Sequence, residues 1–381
     1  MNSGCVLYVV NDPAFFVSHR LSLACALKKE GREVHVATGP GKKGAIKKIN
    51  DSGLLYHQIP MSRSGRNPFK EIFCVISLWW LMVKIRPSLV HLVTIKAVLY
   101  GGIAARLSKV PSVVFAISGL GSSFVGSGKN MALLRKLLAS LYRVSLGHAN
   151  RKVIFQNPAD RQALMTLCEL SLEDTSLIPG SGVDLDEYPF LPEPEKDLTV
   201  TFAARLLKEK GVVEFVEAAK IVKSRGAQVQ FLVIGEPDPG NPSSVSQDEV
   251  DEWVLESNVS VLGFRSDIAY LFSNSNIVVL PSYYGEGLPK TLVEAAACGR
   301  AVVTSDMPGC RDAILPDLSG LLVPARDAES LADAIEYLLQ RPDVRGEMGR
   351  TGRVLAEEKY SIVSVIDSHL EIYKGLGLIN L

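Results

Sequence analysis

Cysteine is scarce and scattered in this 381-residue chain. Cys5, Cys25, Cys74, Cys168, Cys298 and Cys310 form no CxxC pair. That excludes a disulfide framework and a cysteine-built zinc site, and reads as reduced thiols in a cytosolic protein. Long apolar runs are missing too. The longest, residues 72–83 (IFCVISLWWLMV), has 12 residues, whereas a membrane-crossing helix needs about 20; we read it as a buried helix. The start of the chain lacks a signal-peptide layout, because the apolar run at 5–10 is short and Asn11-Asp12 follow at once. There is no GxGxxG: residues 11–20 (NDPAFFVSHR) stand where that phosphate-binding turn would be. Net charge is absent as well, since 41 Lys and Arg meet 41 Asp and Glu, and no nucleic acid is expected as a partner.

The charge that is present is unevenly placed. Residues 1–190 carry 23 cations and 12 acids, and residues 191–381 carry 18 and 29. A basic first half points to an anionic partner there. The length predicts two domains, and 47% apolar with 22% charged residues is ordinary for a soluble globular protein. Strand and helix patterns alternate. Strands are expected at 6–10, 33–38, 54–59, 89–93, 112–117, 153–156 and 175–178, with helices at 15–30, 69–85 and 97–107. A second series has strands at 198–203, 230–234, 259–262, 277–280 and 301–305, with helices at 212–225, 248–256 and 268–273. Such alternation indicates parallel sheets covered on both faces. Residues 188–197 (YPFLPEPEKD) read as the linker and 237–246 (PDPGNPSSVS) as an exposed loop. The expectation is two Rossmann-like doubly wound domains, 1–187 and 188–361, with a cleft between them. Ligands would collect at the carboxyl ends of the strands.

Residues 277–299 (IVVLPSYYGEGLPKTLVEAAACG) say most about chemistry. An apolar strand ends in Pro281-Ser282, a polar loop follows, and a helix opens at Pro289, where a missing amide costs nothing. The free amides and positive dipole of a helix start form a place for an anion. Glu286 stands in the loop beside that anion and Glu294 one to two turns into the helix, so the two carboxylates can grip hydroxyls on either side of a diphosphate. That arrangement suits a nucleotide-sugar. The segment resembles the signature of glycosyltransferase family 4, retaining enzymes of the GT-B fold: Glu286-Gly287-Leu288-Pro289-Lys290, then Glu294 eight positions after the first Glu. The resemblance implies that Glu286 contacts the transferred sugar and Glu294 the ribose, and that the final helix, 362–381, packs back on the first domain.

Residues 201–211 (TFAARLLKEKG) place Arg205 and Lys210 after a strand, similar to the family's Arg-x4-Lys-Gly stretch. Two cations there would stabilise the charge that builds on a departing diphosphate. Gly235 ends one strand, and Gly263-Phe264 ends the next at a turn that the resemblance places by the nucleobase. On the acceptor side, His19 and Arg20 open the first helix, and Gly119 and Gly121 could admit sugars close to the backbone. The family often carries a His in the stretch matching 117–124; this chain has none there. Asp184-Leu185-Asp186 looks like a metal-binding DxD pair but reads better as a cap or hinge, and no metal or other cofactor is expected.

Residues 129–152 hold Lys129, Arg135, Lys136, Arg143, Arg151 and Lys152 among leucines with no acid. With Arg63, Arg66 and Lys70 they suggest contact with a membrane surface. The motifs look most like bacterial enzymes that extend undecaprenyl-diphosphate-linked glycans from UDP-N-acetylhexosamines in O-antigen or capsule synthesis. The expected partners are a nucleotide-sugar donor, a polyprenyl-diphosphate-linked acceptor and the inner face of the cytoplasmic membrane. Two alternatives keep the same residues: a nucleotide-sugar epimerase of similar fold, and a non-catalytic sugar-nucleotide-binding partner.

Overall fold

The computed structural model describes residues 4–62, 67–121 and 129–378, without the side chains of 129–137. The chain divides into two compact units, Met1–Ser181 with Val363–Leu381, and Gly182–Ile362. The division falls six residues ahead of the expected boundary at 187/188, beside Gly180 and Gly182, both at positive φ.

The first unit carries strands β1 (Val6–Val10), β2 (Val34–Thr38), β3 (Leu55–Gln58), β4 (Leu89–Val93), β5 (Ser112–Ile117), β6 (Arg151–Phe155) and β7 (Thr175–Leu177). They form one sheet, β3-β2-β1-β4-β5-β6-β7, parallel at every pairing. The central strands are mostly apolar because helices cover both faces, with His91 of β4 buried among them. Those helices are α1 (Pro13–His19), α2 (Leu21–Lys29), α3 (Lys43–Asp51), α4 (Pro68–Ile85), α5 (Ile95–Leu107), α6 (Lys129–Leu146) and α7 (Pro158–Cys168). Asp12 starts α1 by accepting from the amides of Ala14 and Phe15 at 2.8 and 3.0 Å. The single helix expected over 15–30 is broken at Arg20, whose backbone leaves the helical region at φ −135°.

The second unit carries β8 (Thr199–Ala203), β9 (Gln230–Ile234), β10 (Ser260–Val261), β11 (Ile277–Leu280), β12 (Ala301–Ser305) and β13 (Gly320–Val323), again all parallel, in the order β10-β9-β8-β11-β12-β13. Helices α8 (Val212–Ser224), α9 (Gln247–Leu255), α10 (Ile268–Ser273), α11 (Lys290–Ala297), α12 (Ala328–Leu339) and α13 (Pro342–Leu355) wrap it. The last helix, α14 (Ile362–Gly375), packs in the first unit. There Tyr373 is fully buried, and its hydroxyl bonds to those of Tyr8 at 3.0 Å and to His91 Nδ1 at 2.6 Å.

Three expectations are corrected. Residues 188–197 are no free linker. Arg345 grips Glu193 at 2.7 Å, Arg353 donates to the Tyr188 carbonyl at 2.9 Å, and Phe190 lies on Gly299. Proline and acid mark this strap because it runs over the surface without sheet bonds, not because it is loose. Residues 237–246 are not simply an exposed loop: the Lys208 amide donates to Ser243 and the Val245 amide to Leu206, at 2.8 and 3.0 Å. The run 72–83 is not a buried helix, because α4 buries Cys74, Leu78, Leu81 and Met82 and leaves its other face in solvent.

Candidate functional site

The donor-side residues named from the sequence all lie in the second unit. Its strand order runs outward in both directions from the β8–β11 pair. At such a switch point the loops diverge and leave room for a ligand at the carboxyl ends of the strands. The loop after β8 contains a 3₁₀ turn, Lys208–Lys210, closed by Gly211 at φ 79°. A methyl on Gly211 would lie 2.3 Å from the Pro281 carbonyl oxygen, so only glycine lets this loop touch the one after β11. Amides of Tyr283 and Tyr284 fix the contact by donating to the Glu209 carbonyl at 2.9 and 3.0 Å.

That contact delivers Lys210 to Glu286. The ammonium bonds to Glu286 Oε1, and the Ser282 hydroxyl donates to the same oxygen at 2.9 Å. Glu286 is 8% exposed, and a carboxylate so buried must be paired and hydrogen-bonded. Gly287, Leu288 and Pro289 are buried behind it. Pro289 is the N-cap of α11 and not its first helical residue, so the helix begins at Lys290, one position later than the sequence suggested. Thr291 Oγ1 donates to the Ala203 carbonyl at 2.7 Å, which holds the amide-rich start of α11 at the end of β8. Further along α11, Glu294 accepts from the Tyr188 hydroxyl at 2.7 Å and faces the Lys290 ammonium at 3.3 Å. Burial pushes the Glu294 carboxyl above its usual range, and Lys290 and the Tyr188 hydrogen bond pull it partly back.

Arg205 shares the β8 loop but is half-exposed and paired with Asp238 at 2.7 Å. Gly235 follows β9, and its amide donates to the Gly263 carbonyl at 2.8 Å, so the turns after β9 and β10 touch. Phe264 projects from the second of these turns, 65% exposed.

The acceptor-side candidates belong to the first unit. His19 ends α1, half-buried, with its ring stacked on Phe15. Arg20 does not open a helix toward solvent. It is 3% exposed in the buried cluster around Tyr8 and Tyr373, and its Nη1 donates to the His19 carbonyl at 2.8 Å. Gly119 and Gly121 follow β5 with φ of 106° and 68° and are buried. Asp184 of the DxD pair accepts from the amides of Asp186 and Glu187 at 3.0 and 3.4 Å, which is a turn cap. Cys5, Glu33 and His35 place ligand-type atoms within 4.8 Å of one another. The His35 ring is already bonded to Glu33 and His57 at 2.7 and 2.8 Å, and burial pushes the Cys5 thiol up to about 12.

Sequence reasoning missed four contributors. Tyr188 was hidden in the presumed linker, and Ser282 was quoted without a role. Ser305 Oγ bonds to the Ser282 carbonyl, and Gly309 lies so close to the Glu286-Gly287 backbone that a methyl there would sit 2.5 Å from the Gly287 carbonyl. A proline-glycine pair just after β12 was the available signal for the last.

Two doubly wound parallel sheets in one chain match the GT-B fold of glycosyltransferases. Residues 186–354 match the family described as Glycosyl transferases group 1, and residues 5–157 match Glycosyl transferase 4-like. A Campylobacter jejuni N,N'-diacetylbacillosaminyl-diphospho-undecaprenol alpha-1,3-N-acetylgalactosaminyltransferase is 31% identical, covering 86% of this chain and 87% of its own. The Staphylococcus aureus capsular polysaccharide biosynthesis glycosyltransferase CapM is 27% identical over 88% of each chain. The crystal structure of Anabaena HepE in complex with UDP shares the fold, with a TM-score of 0.77 at 17% identity, covering 97% of this chain and 99% of that one. The chain belongs to this glycosyltransferase family, and it is a hexosyltransferase. The epimerase and non-catalytic alternatives are not favoured.

Proposed function

We propose that the protein is a retaining enzyme that moves an N-acetylhexosamine from a UDP-sugar to a polyprenyl-diphosphate-linked glycan. The product would enter capsule or O-antigen synthesis at the inner face of the cytoplasmic membrane. The acceptor and sugar named for the Campylobacter relative and the pathway named for the Staphylococcus relative support this reading. The observation that carries the chemistry is the Lys210–Glu286–Ser282 cluster beside the start of α11. In this reading Lys210, Arg205 and the α11 amides hold the diphosphate, Glu286 orients the donor sugar and Glu294 grips the ribose. Gly235, Gly263 and Phe264 border the base. The acceptor binds in the first unit, with His19, Gly119 and Gly121 as its candidate contacts.

The acceptor hydroxyl attacks the anomeric carbon on the face that the diphosphate leaves. The bond from that carbon to the phosphate oxygen breaks, a bond to the acceptor oxygen forms, and the hydroxyl proton passes to the departing phosphate. Cations aimed at the leaving group act more strongly in the transition state than before it. The route assigns no step to a metal. The test incubates a panel of UDP-sugars with polyprenyl-diphosphate saccharides, with and without EDTA, and reads products by mass spectrometry and anomeric configuration by NMR. A hexosamine-extended product of retained configuration, formed with EDTA present, is expected. An inverted product, or conversion of donor without acceptor, would overturn the proposal.

A further inference from the structure

The helix α4 is apolar on both sides, and among the described residues its outer side is left exposed. Phe69 (83% exposed), Ile72, Phe73 (60%), Ile76, Trp80 (57%) and Val83 recur every three or four residues along one face. This is the stripe of an amphipathic helix, yet the opposite stripe already faces the core through Cys74, Leu78, Leu81 and Met82. The same face borders an open cavity of about 1150 Å³, lined by Phe73, Ile76, Trp79 and Trp80 from the helix and by Ile59 and His57 from the sheet edge. Exposed apolar surface on this scale marks an interaction site.

The charges around the stripe say what would cover it. Lys70, Lys84 and Arg86 stand exposed at the two ends of the helix, and the Lys84 ammonium lies 5.2 Å over the Trp80 ring. The helix's acid, Glu71, is turned to Lys96 at 2.7 Å, with both side chains less than a fifth exposed. The unit that carries α4 has 24 Lys and Arg against 11 Asp and Glu. Trp and Phe flanked by snorkelling cations are what a headgroup boundary selects. A second copy of the chain fits less well. An 18-residue helix is about 27 Å long and presents a strip on the order of 270 Å², against about 800 Å² per partner in a stable interface. A bilayer requires no reciprocal area. Among the described residues no helix is long and apolar enough to cross a membrane, so the contact is in-plane.

We propose that α4 lies in the headgroup region of an anionic membrane, with Phe69, Ile72, Phe73, Ile76, Trp80 and Val83 in the acyl boundary and Lys70, Lys84 and Arg86 at the phosphates. This centres on the helix that carries Lys70 the membrane contact expected from Arg63, Arg66 and Lys70 together with residues 129–152. Of the cations there whose side chains are described, Arg143 donates to the Leu167 carbonyl, Arg151 pairs with Asp174 and Lys152 donates to the Glu173 carbonyl. Arg63 and Arg66 lie outside the described residues, as do the side chains of Lys129, Arg135 and Lys136.

The inference rests partly on the lipid-linked acceptor, so its test is built to fail separately. Flotation with phosphatidylglycerol-rich vesicles should retain the wild-type protein, and pure phosphatidylcholine should retain several-fold less. Phe73→Glu with Trp80→Glu should lower binding at least tenfold without changing the circular dichroism. Trp79 and Trp80 are two of three tryptophans, and Trp253 is buried in the other unit. Emission should therefore shift blue on vesicle addition and stop shifting in Trp79→Phe/Trp80→Phe. The Glu variants should still transfer sugar to a short-chain, water-soluble acceptor. Vesicle binding unchanged by Phe73→Glu/Trp80→Glu would overturn the proposal, as would vesicle-free self-association by sedimentation that this pair abolishes. Failure of the wild type to extend any acceptor would instead sink the functional reading and leave the flotation result standing.

Discussion

Glu286 and Lys210 sit 76 positions apart in sequence and share one hydrogen bond in a nearly dry site. Each makes the other's burial tolerable, and neither can be replaced without exposing the other's charge to apolar surroundings. Lys210→Ala should therefore lower both transfer and stability, whereas Lys210→Arg should preserve the charge and restore part of the fold but little of the rate. Removing a preorganised charge-stabilising group costs on the order of 10²–10³ in kcat, and single-turnover assays on folded variants would read it. A smaller effect is expected at Tyr188. Its hydroxyl favours the ionised form of Glu294, so Tyr188→Phe raises that pKa further. A hydrogen bond to a charged group is worth about 1.5–3 kcal/mol, so a loss of at least about tenfold in UDP affinity is expected. If Glu294 grips the ribose as proposed, the loss of affinity on acidification should begin at higher pH than in the wild type, because a protonated carboxyl can no longer accept both ribose hydroxyls. Calorimetric titration with UDP across pH checks this, and an unshifted acid limb would show that Glu294 does not carry the ribose. Both glutamates were legible from their spacing. Tyr188 was not, since nothing in a proline-rich strap announces which side chain it tucks under.

Elements were more legible than their faces. The strands at 6–10, 112–117, 230–234 and 277–280 stand where the apolar runs put them, because a doubly covered parallel strand must be apolar throughout. The same rule misled at α4, whose continuous apolar run meets the core on one side only. Periodicity cannot tell protein from lipid as the cover of the second face. Among the polar contacts, α14 brings His369 and Tyr373 against His91, Tyr8 and Arg20 in a buried cluster. Burial, and then the Arg20 guanidinium, holds His91 well below its ordinary pKa and His369 down to about 3. These rings are neutral in the fold and protonate near 6.5 once unfolded, so the unfolded state binds more protons below that pH. Stability is then full above about 6.5 and falls as pH drops toward 3, by up to about 1.4 kcal/mol per pH unit for each histidine. Urea midpoints measured from pH 7.5 to 5 should decline, and His369→Gln should flatten the slope. A slope unchanged by His369→Gln would place the lost stability elsewhere.

At the scale of the whole chain, the polypeptide leaves the first unit near Ser181, builds the second without interruption and returns after Ile362. The two-sheet architecture followed from alternation alone, but the point of departure did not, because Gly180-Ser181-Gly182 resembles any turn. This threading makes the units unequal in what they need. The second holds every residue assigned to the donor within one continuous segment. The first is incomplete without its last nineteen residues: Val365, Tyr373 and Leu378 are buried there, Ser112 and Asn150 bond to the Leu376 carbonyl, and Leu378 covers Gly4. Each such buried side chain contributes about 1.5–3 kcal/mol, and deleting them also strands Tyr8 and His91 without their partner. A chain ending at residue 362 should therefore show one cooperative calorimetric transition, belonging to the second unit, and a first unit that binds hydrophobic dye and lacks a transition of its own. It should still bind UDP within a few-fold of the full chain while transferring nothing. Two transitions in the truncated chain would show that α14 is an accessory to the first unit. Loss of UDP binding would show that donor residues are supplied from outside Gly182–Ile362.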